Sequence, residues 1–105
     1  MHPSSMSEFD KILVEATDNA LVTIVGVPVA TAIKFYMDVS LISKDIDKFR
    51  WQLNKYVSGS KLVEDKIIRN LAESLESDRA LVVSPENAGD LKLFVQNCRA
   101  EFSMK

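Results

Sequence analysis

From Phe9 to Phe102 the apolar positions of the chain return at helical spacing, broken only by short stretches of Gly, Pro, Ser and Asp. Phe9, Ile12, Leu13, Ala16 and Ala20 fall at i, i+3, i+4, i+7 and i+11, one stripe of a first helix that Leu21 and Ile24 extend. Ser7 precedes the stripe as an N-cap, and Glu8 and Asp10 put negative charge at the positive end of the helix dipole. Gly26 suits the helix stop and Pro28 the first turn of the next helix, where its missing amide is no loss. This second helix is predicted over residues 28–39, with Val29, Ala32, Ile33, Tyr36 and Met37 facing inward and the small Ala30 and Thr31 permitting close approach of a neighbour.

A third helix starts from a cap at Ser43 or Asp45 and carries Ile46, Phe49, Leu53 and Tyr56 or Val57 on one side. Ser58-Gly59-Ser60 stops it and caps a fourth within three residues, so the two should be antiparallel or sharply angled. Val63, Ile67, Leu71 and Leu75 form the fourth stripe, widened by Leu62 and Ile68, and Asp65 and Arg69 are spaced for a weak i, i+4 pair. Glu76-Ser77-Asp78 marks the end of that helix. Ala80 to Val83 is too brief to assign by period and is read as an extended apolar connector over the bundle. Ser84-Pro85-Glu86 and Asp90 are alternative starts for the last helix, striped by Leu91, Phe94, Val95, Cys98 and Phe102.

These patterns predict an all-α fold: a single compact bundle of about five helices with a short apolar connector before the last. Residues 1–5 (MHPSS) have no apolar period and read as a disordered or appended tail, leaving 6–105 as one helical domain. A length of 105 residues with 47% hydrophobic and 27% charged positions is ordinary for one globular domain. Ala20 to Ile33 is uncharged, yet it is shorter than the roughly 20 residues that span a bilayer and is broken by Gly26 and Pro28. It reads as a buried helical corner, not a membrane hairpin. The start of the chain lacks a basic stretch followed by an apolar one, so a cytoplasmic protein is expected.

Candidate chemistry is sparse. One cysteine and one histidine leave no intramolecular disulfide, no zinc ligand set and no Cys-His nucleophile, and Cys98 falls in a core stripe. Asp45 with Asp47, and Glu64 with Asp65, are too close in a helix to face one another and read as caps and surface charge. Three glycines build no phosphate loop, and no nucleotide or nucleophile-elbow motif occurs. The expectation is a protein without catalytic, cofactor or metal residues.

A resemblance adds to this reading. F-D-x-x-L-x-E-A (Phe9, Asp10, Leu13, Glu15, Ala16), Gly26, A-I-x-F-Y (Ala32, Ile33, Phe35, Tyr36), D-x-F-x-x-x-L (Asp47, Phe49, Leu53) and S-G-S-K-L-V-E (Ser58 to Glu64) resemble a family of small archaeal helical proteins of unknown function, over about Phe9 to Leu75. The resemblance implies an all-helical archaeal module and carries over no activity and no site residues.

Two binding surfaces are open to the chain. Phe35, Trp51 and Leu81 to Val83 are large residues off the inferred stripes; Trp51 lies about 200° from Phe49 around its helix axis. Phe35 and Trp51, rimmed by Lys34, Asp38, Lys48 and Arg50, would make a contact surface for another protein or a second copy. The alternative is nucleic acid. Lys44, Lys48, Arg50, Lys55, Lys61, Lys66 and Arg69 outnumber Asp45, Asp47, Glu64 and Asp65 across a helix-turn-helix corner, with Lys48, Arg50, Lys55, Lys61 and Arg69 as the candidate patch. The formal charge of −2 and pI near 5.3 weigh against it, because polyanion binding needs a broadly basic surface.

Overall fold

Capping chemistry sets where the helices begin in the computed structural model, which describes residues 7–87 and 89–104. Ser7 Oγ accepts the Asp10 amide at 3.1 Å and starts α1 (Glu8–Val25). Gly26, at φ 87°, turns the chain into the short α2 (Val27–Ile33). After a turn comes α3 (Leu41–Lys44), and Asp45 then caps α4 (Ile46–Tyr56) by accepting the Lys48 amide. Gly59, in the left-handed region at φ 76°, leads into α5 (Ser60–Arg79). A 3-10 turn (Pro85–Asn87) precedes α6 (Leu91–Ser103), whose cap Asp90 accepts the Leu93 amide at 2.8 Å.

The described residues thus form six α-helices and no strand. The number exceeds the expected five because the second predicted helix stops early and a short additional helix, Leu41–Lys44, forms between it and α4. It ends at Ile33, not Val39: the amides of Phe35 and Tyr36 reach back only three residues, to Ala32 and Ile33, and the Asp38 carboxylate takes the Ser40 amide and hydroxyl at 3.0 and 2.7 Å. That local turn outcompetes the helix ladder and restarts the chain as α3. Tyr36 consequently points out, while Met37 is buried. Val29 and Ala32 also face solvent, leaving Ala30 and Ile33 as the inner face of α2.

The core lies along α1 and α5, which pack lengthwise, with α4 and α6 closing it through Phe49, Leu53, Leu91, Phe94, Val95 and Cys98. Leu13, Leu21, Ile67, Leu71 and Leu75 are fully buried, each worth about 1.5–3 kcal/mol of transfer free energy. Thr17, the one buried polar residue among the described residues, donates its hydroxyl to Leu13 O at 2.8 Å, and Asn70 Nδ2 ties α5 to α1 by donating to Ala16 O at 3.2 Å. The radius of gyration of 13.3 Å is that of a packed chain of this length.

Several expectations change in detail. Leu62 is exposed instead of widening the α5 stripe, and the i, i+4 pair on that helix is Lys61–Asp65, at 3.8 Å. Ser84-Pro85-Glu86 forms only the 3-10 turn, so Asp90 starts the last helix. The apolar corner at residues 20–33 is buried on one side only; Ile24, Val27 and Val29 face solvent. No described helix is long and apolar enough to cross a membrane. The tail expected at residues 1–5 lies outside the described residues.

Candidate interaction surface

Four aromatic side chains stand outside this core: Phe35, Tyr36, Trp51 and Tyr56 are 83%, 68%, 61% and 39% exposed. Phe35 and Tyr36 sit in the turn that ends α2, and Trp51 and Tyr56 on α4. The two elements meet through Tyr36 and Tyr56, whose rings stack with centroids 5.8 Å apart and planes 29° apart. Lys55 continues the row, its Nζ lying 4.9 Å from the Trp51 ring centroid and 5.5 Å from that of Tyr56. Trp51, Lys55, Tyr56 and Tyr36 therefore form one continuous surface, with Phe35 next in the chain. At the 150–250 Å² an aromatic side chain carries, the four rings expose about 400–600 Å², the size of the largest patch on a typical monomer.

Beside the row lies an open hollow of about 630 Å³ whose wall includes Phe35, Tyr36, Met37, Val39 and Gln52. Lys34 closes one edge in an ion pair with Asp18. Asp38 stands at another. The Ser40 hydroxyl first, with its amide and the charge of Lys44, holds its carboxyl below the ordinary range, against the opposing effect of burial. The rim is thus polar and charged of both signs around an apolar middle.

Leu81 and Val83 leave the surface. α5 ends with Ala80 in the left-handed region at φ 53°, and the Leu81 amide donates back to Leu75 O at 3.1 Å. That reversal folds Leu81 onto the core at 5% exposure and lays Val83 against it, half-buried, while Val82 between them points to solvent. The connector is neither helix nor strand, and from Leu81 to Val83 its covered and exposed positions alternate.

The basic corner is dispersed by the fold. Arg50 is drawn to Glu64, Nε to Oε2 at 3.2 Å and Nη2 to Oε1 at 3.4 Å, with Asp90 at 3.7 Å from Nη1. Lys61 faces Asp65, and Lys55 lies on the aromatic row. Arg69 stands apart from these, by a hollow shared with Asp65, Pro85 and Glu86. Lys48 is exposed on α4. Among the described residues no three His, Cys, Asp or Glu side chains are grouped to hold a metal ion. Cys98 is buried, and burial with the nearby Glu101 pushes its thiol up to about 12, the opposite of an activated nucleophile.

No protein family, curated protein or solved structure matches the chain.

Sequence reasoning named Phe35 and Trp51 and missed Tyr36 and Tyr56, the pair that joins them. The missing signal was the Asp38-Val39-Ser40 turn, which stops the helical period before Tyr36. For Tyr56, the neighbouring Val57 takes the core position just past the helix end.

Proposed function

We propose that this protein is a non-enzymatic association module that binds another protein, or a second copy of itself, through the row Phe35, Tyr36, Tyr56, Trp51. The observation that carries the reading is the continuity of that row. Scattered apolar residues are common on any surface, but stacked and bridged aromatics in one place concentrate contact area at low rotamer cost.

The test replaces Trp51 with Ser. Mass in solution is measured by sedimentation at two concentrations, and capture from native lysate is compared between immobilised wild type and Trp51→Ser. Helical content and melting should stay nearly unchanged while association weakens by about 2 kcal/mol, as for a hot-spot residue. Loss of several degrees of melting temperature with association intact would return Trp51 to the core and remove the reading.

A further inference from the structure

The outward side of α4 carries more than aromatic surface. Lys48, Trp51 and Lys55 are three, four and seven residues apart, which keeps them within about 60° around the axis and sets the backbones of the two lysines about 10 Å apart along it, with the Lys55 ammonium over the Trp51 ring. Neither lysine makes an ion pair among the described residues. Three nearby carboxylates are engaged elsewhere: Asp45 accepts the Lys48 backbone amide as helix cap, Asp47 holds Lys92 at 2.9 Å, and Glu64 holds Arg50. This side of the helix is a tryptophan flanked by two cations that have no anion.

We propose that this face binds an extended acidic segment of a partner protein, with two carboxylates about 10 Å apart meeting Lys48 and Lys55 and a proline or aliphatic residue between them covering Trp51. The proposal deepens the association reading and rests on it. Two observations select the occupant. Lys48, Trp51 and Lys55 lie in line along one side of a single helix, an arrangement that a run of a few residues can follow end to end. A polyproline-type segment also returns to the same side every third residue, about 9 Å on, close to the lysine spacing, and it is already extended before it binds. A nucleic acid fits less well. Arg50 and Lys61 are engaged within the chain, and Asp38, Asp45 and Asp47 would stand against a backbone carrying a charge at every nucleotide.

Trp51 is the only tryptophan of the chain, so its fluorescence reads this face directly. The probe is a capped peptide of three Glu-Pro-Pro repeats, which has no fluorophore of its own, titrated into the whole protein at low ionic strength. A saturable blue shift is expected, with none from Lys-Pro-Pro repeats. Lys48→Glu combined with Lys55→Glu should weaken binding about tenfold or more, the sum of two exposed pairs turned repulsive, and Lys48→Gln with Lys55→Gln should fall between. Circular dichroism checks that each variant keeps its helices. Undiminished binding by the charge-reversed variant, or no binding by the wild type, overturns the proposal. Tighter, steeply salt-dependent binding of an oligothymidylate overturns it in favour of nucleic acid. A blue shift that instead follows protein concentration alone, and association lost in Trp51→Ser, overturns the acidic partner while the association reading stands.

Discussion

Cys98 shows how a residue's place in a stripe decides its chemistry. It sits on the inner face of α6, and burial together with Glu101 raises its thiol from 9.0 to about 12. Between those values the unfolded chain has given up a proton that the folded chain still holds, so stability is full below about pH 9 and is lost as pH rises toward 12. Urea midpoints taken at pH 8 and pH 10 should therefore fall more for the wild type than for Cys98→Ala, a comparison that cancels every other effect of the pH change. Alkylation at pH 8 should be about tenfold slower, or more, in the native protein than in urea. Equal rates would place the thiol at the surface. Ala80 makes the converse point about legibility. Its left-handed φ of 53° is normally a glycine's, so nothing in the residue type announced the turn that buries Leu81.

At the scale of elements, helix ends were legible where a side chain caps them and illegible where tertiary contacts carry them. Ser7, Asp45 and Asp90 each take the amide three residues on; Ser7 was the expected cap, and Asp45 and Asp90 are the ones used of the two alternatives at each later start. The end of α5 is different: Glu76-Ser77-Asp78 looked like a stop, yet the helix runs on to Arg79, which pairs with Glu8 and lies over the Phe102 ring at 5.9 Å. Arg50 is a further case. In the sequence it belongs to a basic run, but in the fold it joins Glu64 on α5 and Asp90 at the start of α6, beside the Lys92–Asp47 pair. Arg50→Gln should therefore cost about 1–3 kcal/mol, because the largely covered Glu64 carboxylate loses its cation. Hydrogen exchange should show faster opening of the first turns of α6 than of α1, and Arg50→Gln with Glu64→Gln should recover part of the loss. No change at α6 would mean that the network is surface charge without structural effect.

For the whole molecule, the stripes and the row of rings divide the apolar residues into those that hold the fold and those left over for contact. The stripes of α1, α4, α5 and α6 were readable because a helix long enough to show its period repeats the signal several times, whereas α2 and α3 are too short for any period to separate Val29 or Tyr36 from Ile33. The division has a direct thermodynamic form. Leu71 is fully buried on α5, the helix that packs along α1, so Leu71→Ala removes packed methyl groups where neighbours on both helices have little room to collapse. It should cost about 2–5 kcal/mol in urea unfolding, with the slope unchanged because the same surface is still exposed on unfolding. A cost below about 0.5 kcal/mol, the range of surface sites, would put Leu71 outside the core and the α1–α5 packing with it.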